Sequence, residues 1–134
     1  MSLEITQRER EGVFLLDFEG RIVTGPESAH FRETIQQISQ LETPKVVLNL
    51  GGVDYIDSTG LGAIVLCATT LRKVSGVAKL LNLNRRTIEL LVATKLATIF
   101  EIFTDEQDAI NSFFPGREIK RFDILDFVKQ QKDK

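Results

Sequence analysis

The amino-acid sequence predicts a single α/β domain, in which a mixed and centrally parallel β-sheet of about five strands carries about four helices. The chain has 134 residues, and domains typically have roughly 100–200 residues, so one core accounts for its length. Short apolar segments with strand character alternate with segments whose apolar residues recur at helical spacing, which is typical of parallel sheets covered by helices. Hydrophobic residues make up 43% and charged residues 27% of the chain, the balance of a folded globular protein.

Two strands and a helix are predicted first. Alternating apolar residues predict strands over 3–7 and 13–19, joined as a hairpin by the polar turn 9–12. A helix follows Pro26 and ends before Pro44. Its apolar stripe consists of Phe31, Ile35, Ile38 and Leu41.

A parallel β-α-β unit forms the predicted centre of the sheet. The apolar segment 46–50 is the central strand, and Gly51-Gly52 ends it. A helix from Ser58 to about Val74 and a strand over 77–83 follow, and this order predicts a right-handed parallel crossover. The side of this helix that faces the sheet consists of Leu61, Ile64, Val65, Ala68 and Leu71.

A third helix, a short strand over 100–103 and a fourth helix complete the domain, which Pro115-Gly116 closes at residues 1–115. The apolar residues of the third helix are Ile88, Leu91, Val92 and Leu96. The capping box Thr104-Asp105-Glu106-Gln107 opens the fourth helix, whose stripe is Ala109, Ile110 and Phe113. Residues 116–134 form a C-terminal extension that carries net charge +2, against −4 for the domain. A terminal helix there would line up Ile124, Phe127 and Val128.

The composition excludes several functional classes. A net charge of −2 provides no overall positive field for nucleic acid or an anionic membrane. No apolar segment reaches the roughly 18 residues that span a bilayer. Cys67, the single cysteine, cannot form an intramolecular disulfide, and residues 1–5 lack the basic region and the long apolar run expected of a signal peptide. We therefore expect a cytoplasmic protein without direct membrane insertion and without nucleic-acid binding.

Signatures of enzymes are sparse. His30 is the single histidine, so a catalytic triad or a histidine metal site would depend on one imidazole. Gly60-Leu61-Gly62 lacks the lysine and the spacing of a phosphate-binding loop. Cys67 is expected to be a packed, inert thiol. A hydrolase or phosphatase that uses Asp54, Asp57 and Ser58 stays an alternative, but it lacks a positioned base. We expect no catalytic residue, no cofactor and no metal.

The most informative segment is 46–62, in which a buried strand leads to Ser58 at the start of a helix. Ser58 is either the N-cap or the residue just inside it. In both positions it lies beside free backbone N–H groups and the positive end of the helix dipole, which tolerate an anion.

This segment resembles the STAS domain, and specifically the bacterial anti-sigma factor antagonists. Their pattern is a hydrophobic strand followed by Gly-Val-x-x-Ile-Asp-Ser-Ser/Thr-Gly-Leu-Gly, and residues 52–62 read Gly-Val-Asp-Tyr-Ile-Asp-Ser-Thr-Gly-Leu-Gly. The order of elements over residues 3–114 is similar as well. The resemblance implies a STAS-like domain that acts as a partner-switching regulator of transcription and not as an enzyme.

The resemblance also implies which residue is modified and by which partner. In that family, a partner that is both a serine kinase and an anti-sigma factor phosphorylates the serine after the aspartate, and only the unphosphorylated protein binds this partner tightly. By position, the phosphoacceptor is Ser58. A serine phosphatase is a further expected partner, and a homodimer is left open, as is the substitution of Thr59 as acceptor.

The side of the helix opposite the core is the predicted docking surface. It holds Thr59, Gly62, Ala63, Leu66, Thr70 and Lys73. Small residues around one exposed leucine let a partner's backbone approach closely, whereas an ordinary solvent-facing side with a stray leucine is the alternative. With the motif residues added, the expected partner-binding residues are Asp57, Thr59, Gly60, Gly62, Ala63 and Leu66.

Two departures from the family pattern bear on the partner. The family often reads Gly-Glu-Leu-Asp after its second strand, near the partner-binding surface, where this chain has Gly20-Arg21-Ile22-Val23. Partner choice is therefore expected to differ. The extension from Gly116 lies beyond the usual domain. An alternative role is that of a STAS scaffold subunit in a lipid-transport or stress-signalling complex, in which Ser58 is a cap and is not phosphorylated.

Overall fold

The computed structural model describes residues 3–23 and 26–124. Its elements are β1 (Leu3–Arg10), β2 (Val13–Ile22), α1 (Pro26–Ile38), β3 (Lys45–Ile56), α2 (Ser58–Arg72), β4 (Val77–Leu81), α3 (Arg85–Ala93), β5 (Ile102–Phe103) and α4 (Glu106–Asn111). The five strands form one sheet in the order β1-β2-β3-β4-β5, in which β1 is antiparallel to β2 and the other neighbours are parallel. The predicted α/β class, with a mixed five-stranded sheet and four helices, is confirmed.

The N-terminal hairpin is longer and its turn shorter than predicted. Glu11 and Gly12 form the whole turn, and both have positive φ, 53° and 81°. A two-residue turn of this kind matches the right-handed twist of the flanking strands. Pairing therefore continues to Arg10 and Val13, and residues 9 and 10 belong to the ladder.

The prediction that Gly51-Gly52 ends the central strand is wrong, because β3 continues to Ile56. Its register against β2 shifts between Asp17 and Glu19, so the strand bends at an irregularity instead of ending. A Cβ at Gly52 would lie 2.7 Å from the carbonyl oxygen of Phe18. The glycine is needed where two backbones approach closely.

Apolar side chains fill both sides of the sheet. The larger cluster lies between the sheet and α1, α2 and α3, and it includes Phe18, Phe31, Leu48, Ile64 and Leu91. The smaller cluster lies under α4 and consists of Val13, Leu15, Val47, Leu81, Phe103, Ala109 and Ile110. Since neighbouring residues of β3 belong to different clusters, the central strand is covered on both sides, as its apolar sequence predicts.

Helix ends differ from the prediction by up to one turn. Leu41 lies beyond the end of α1 and is 46% exposed, and Leu96 lies beyond the end of α3. Val92 lies within α3 but is 37% exposed. After α1 the chain tightens into i to i+3 hydrogen bonds and then takes a positive φ at Thr43, so the stripe ends at Ile38. The N-cap of α4 is Asp105 and not Thr104, because the Asp105 carboxylate accepts the Asp108 N–H at 2.9 Å.

The segment that follows residue 116 packs against the domain. The N–H of Phe122 donates to the carbonyl oxygen of Ile102 at 2.8 Å, on the side of β5 that faces away from β4. Ile124 is buried in the larger cluster, and Arg117 forms an ion pair with Glu11 at 3.0 Å. The predicted terminal helix, with Phe127 and Val128, lies outside the described residues. The boundary between residues 115 and 116 stays a prediction.

Candidate functional site

Ser58 is the first residue of α2, at the edge of the sheet where β2 and β3 end. The N-cap is Asp57, whose Oδ1 accepts the N–H of Gly60 at 2.7 Å. Ser58 is exposed, and the described residues provide no hydrogen-bond partner for its hydroxyl. Of the two predicted positions, the structure therefore shows the one just inside the cap. The Ser58 hydroxyl faces solvent beside the positive end of the helix dipole.

Gly60 brings α2 close to the end of β2. A Cβ at this position would lie 1.9 Å from the carbonyl oxygen of Ile22. Gly60 is buried, and it is the one predicted partner-binding residue that the structure places beneath the surface. The structural role of Gly60 is to let the first turn of α2 pack against the backbone of β2.

The outer side of α2 is exposed where the sequence predicts it. Thr59 and Gly62 are exposed, and Ala63 is half-buried. Leu66 is 53% exposed, the highest fraction among the exposed large hydrophobic residues of the described chain. A Cβ at Gly62 would meet no atom within 4 Å. This side of α2 therefore offers a smooth surface with one projecting apolar side chain, which continues from Ser58.

A groove of about 380 Å³ separates this side of α2 from α1. On the α2 side it is lined by Thr59, Gly62, Ala63 and Leu66, among others. Residues of α1 that line it are Phe31, Arg32, Ile35 and Gln36. The contribution of α1 is not predicted by the sequence, because a single sequence does not show which helix packs beside which. The small residues Gly62 and Ala63 are the signal that a neighbouring helix leaves space there.

Cys67 lines the groove from below and is 3% exposed. Burial raises the pKa of its thiol to about 12. A protonated, enclosed thiol is a poor nucleophile, so Cys67 acts as a packed apolar residue, as predicted.

Arg21 and Tyr55 lie near the ends of β2 and β3, where β3 leads to Ser58. They are register partners on β2 and β3, and the Arg21 guanidinium lies 4.9 Å from the centroid of the Tyr55 ring. A cation over an aromatic ring at this distance is favourable by about 0.5–1 kcal/mol at an exposed site. Arg21, which departs from the family pattern, thus contacts Tyr55 near the end of the strand that leads to Ser58.

His30 and Asp54 are the remaining candidates. His30 is exposed on α1, and Asp54 is exposed on β3. Within residues 3–23 and 26–124, no three His, Cys, Asp or Glu side chains are placed to hold a metal ion. In the same part of the chain, no helix has the length and apolar character needed to cross a bilayer.

Comparisons with known proteins identify the family. A family model described as the STAS domain matches residues 4–109. BtrV of Bordetella bronchiseptica, whose name provisionally assigns it to the anti-sigma factor antagonists, is 27% identical over 111 residues, which cover 83% of this chain and 95% of BtrV. An anti-sigma factor antagonist from Mycobacterium paratuberculosis has a TM-score of 0.70 at 18% identity, covering 83% of this chain and 93% of that one.

A further similar structure is SpoIIAA. Its unphosphorylated form has a TM-score of 0.65 at 16% identity and covers 86% of this chain and 100% of its own. The phosphorylated form of the Bacillus protein has a TM-score of 0.64 at 17% identity and covers 82% and 99%. At these identities the solved structures show the shared fold. The match of the family model over most of the sequence shows that the chain belongs to the STAS domain family.

Proposed function

We propose that the chain is an anti-sigma factor antagonist, which binds a kinase-type anti-sigma factor while Ser58 is unphosphorylated and releases it once Ser58 is phosphorylated. The observation that carries the proposal is the free, exposed Ser58 hydroxyl at the start of α2, next to the exposed side of α2 around Leu66. The names of BtrV and of the Mycobacterium protein support the role. SpoIIAA, which shares the fold, has been solved with and without a phosphate.

The fold tolerates a phosphate on Ser58. Phosphorylation adds about −1.5 to −2 charges, and a helix N-terminus favours an anion by about 0.3–1 kcal/mol. The neighbouring Asp57 carboxylate opposes it, by about 1 kcal/mol for each pair of unit charges 4 Å apart in water. For the full charge of the phosphate the net effect is a destabilisation of about 0.5–2 kcal/mol. Because this is small against a typical unfolding free energy of about 5–15 kcal/mol and Ser58 caps nothing, the domain stays folded in both states.

A docked partner does not tolerate the same phosphate. Within an interface the phosphate loses water and faces the partner's own charges, and like-charge contacts there cost several kcal/mol. A penalty of about 3–4 kcal/mol weakens binding by roughly two to three orders of magnitude. Such a change suffices to switch the complex off.

This role defines the other participants. The chain is the substrate of the kinase and performs no catalysis itself. A serine phosphatase removes the phosphate and restores binding. The predicted contact residues Asp57, Thr59, Gly60, Gly62, Ala63 and Leu66 surround the switch, with Gly60 supporting the surface from below. Sigma factors act in the cytoplasm, which is where we place the protein.

The test combines phosphorylation with binding. Each kinase-type anti-sigma factor of the encoding organism is purified and incubated with the chain and Mg-ATP, and fragmentation mass spectrometry assigns the phosphate. We expect it on Ser58, and we expect Ser58→Ala to keep binding while Ser58→Asp loses roughly a hundredfold or more. Ser75→Asp is the matched control, because Ser75 is exposed beyond the other end of α2. Aspartate also accepts the positive φ of Ser75.

Two results would contradict the proposal. One is a wild-type chain that acquires no phosphate from any of these kinases. The other is Ser58→Asp that binds as tightly as Ser75→Asp. Co-purification with membrane transport subunits that Ser58→Asp leaves unchanged would instead support the scaffold role.

A further inference from the structure

We propose that the groove between α1 and α2 receives an acidic amphipathic segment of the anti-sigma factor, with an apolar side chain packed beside Leu66 and a carboxylate paired with Arg32. The inference rests on the proposed function. It adds to that function the chemistry of the partner and a recognition residue on α1.

The shape and lining of the groove suit an apolar ridge of a partner. Its volume of about 380 Å³ lies within the range of about 300–1,000 Å³ that is typical of binding clefts. Phe31 and Ile35 are buried, with exposed fractions of 2% and 3%, and they form the apolar base of the α1 wall of the groove. Leu66 projects from α2 on the other side, and the open space above Gly62 leaves room for a second backbone. Amphipathic segments bind in grooves of this kind through a few apolar anchors.

The charges around the groove select an acidic partner. Arg32 is the single charged residue among the described residues that line it. The sequence of α2, from Ser58 to Arg72, contains no Asp or Glu, and Arg72 and Lys73 follow at its end. Although the whole chain has a net charge of −2, the described lining of the groove carries one positive charge and no negative charge. The structure provides no carboxylate for Arg32 among its described residues, so a partner can supply one.

An acidic partner also agrees with the direction of the switch. The groove begins at Thr59, the chain neighbour of Ser58. A phosphate on Ser58 places negative charge at the mouth of the groove, where the partner's carboxylates dock. Like-charge repulsion therefore adds to the desolvation cost and weakens the complex.

The test measures binding of the anti-sigma factor identified above, by titration calorimetry at about 50 mM and about 500 mM salt, since charge contacts are screened at the higher concentration. We expect Leu66→Ser to weaken binding at least about tenfold at both concentrations. Arg32→Glu is expected to weaken binding about tenfold at low salt and much less at high salt. Matched controls on α3 are Val92→Ser and Arg86→Glu, because both residues are exposed and lie outside the groove. We expect them to change binding by less than about twofold.

The outcomes separate the inference from the proposed function. Binding that is lost in Ser58→Asp but unchanged in Leu66→Ser and Arg32→Glu overturns the inference alone. Binding that becomes tighter in Arg32→Glu overturns it too, because the partner is then basic at this position. Self-association of the free protein that Leu66→Ser abolishes, measured by light scattering, assigns the groove to a second copy and also overturns it. A wild-type chain that binds none of these factors overturns both.

Discussion

Replacing Gly60 and Gly62 by alanine, one at a time, is expected to change stability in opposite directions. The two glycines lie two residues apart in α2. A Cβ at Gly60 would lie 1.9 Å from the Ile22 carbonyl oxygen, whereas a Cβ at Gly62 would meet no atom within 4 Å. Each substitution adds one methyl group to the same helix, so the comparison isolates the contact between α2 and β2.

The magnitudes follow from this geometry. Real Cβ atoms essentially never come within 3.0 Å of such an atom, so Gly60→Ala must open the contact by at least 1.1 Å, the difference between 3.0 and 1.9 Å. The obstacle is backbone and cannot rotate away, and overpacking of this kind costs about 3 kcal/mol. Alanine has a higher helix propensity than glycine, which offsets up to about 1 kcal/mol of this cost. Gly60→Ala is therefore expected to be destabilised by about 2 kcal/mol. Gly62→Ala has the gain alone and is stabilised by about 0.5–1 kcal/mol.

Urea unfolding followed by far-ultraviolet circular dichroism measures both changes, since the chain has no Trp to serve as a fluorescence probe. With a slope of about 1–3 kcal/mol per molar urea, the two midpoints should differ by about 1–3 M. A Gly60→Ala variant as stable as the wild type would refute the close approach of α2 to β2. A destabilised Gly62→Ala variant would refute the open outer side of α2.

Two further predictions concern the opposite side of the sheet and the C-terminal segment. Hydrogen bonds from the Arg8 guanidinium, 2.6 Å away, hold the pKa of Glu106 below its usual range. A carboxylate whose pKa is lower in the folded state stabilises the fold at pH values above its unfolded pKa. This contribution disappears as the pH falls through the folded pKa. The urea midpoint of the wild type should therefore decrease once the pH is lowered below about 4.5. Glu106→Gln should have a lower midpoint at neutral pH and a smaller decrease of the midpoint at acidic pH. A decrease as large as that of the wild type would contradict the ion pair. Ile124→Ala should destabilise the protein by about 2–3 kcal/mol because Ile124 is buried in the larger cluster, whereas Lys120→Ala, an exposed control, should not, and equal midpoints would show that the segment does not pack there.

The sequence predicts those parts of the fold that local patterning determines. The alternation of apolar residues in β2 and the apolar sequence of β3 predict these two strands correctly. The strand end predicted at Gly51-Gly52 is wrong, because the close approach of the Phe18 backbone, which requires Gly52, is a tertiary contact. The predicted ends of α1 and α3 lie too far along the chain for a related reason. Apolar residues at helical spacing do not distinguish a further helical turn from the tight turn after Ile38.

In the candidate site, too, the sequence predicts what local patterning determines and not what tertiary contacts determine. The motif predicts Ser58 at the start of a helix, and an exposed Ser58 at the start of α2 is observed. The sequence alone does not decide whether Asp57 or Ser58 is the cap, because both side chains can accept a hydrogen bond from the backbone of the first turn. The structure shows that Asp57 accepts the N–H of Gly60. Arg32 and the rest of the α1 wall depend on how two helices pack, which only the structure provides. The packing of Ile124 and Phe122 against the domain has the same origin.

Residues other than Ser58 stabilise the start of α2. Asp57 satisfies a backbone N–H at the helix start, Gly60 fixes the distance to β2, and Ile56 anchors the end of β3 in the core. None of these contacts uses the Ser58 hydroxyl, which is therefore free for modification at little cost to stability. If Ser58 were itself the cap, a phosphate would also disturb a helix-capping hydrogen bond worth about 1 kcal/mol, and phosphorylation would lower the stability of the domain further. With Asp57 as the cap, the charge of the phosphate acts on a docked partner and leaves the domain folded.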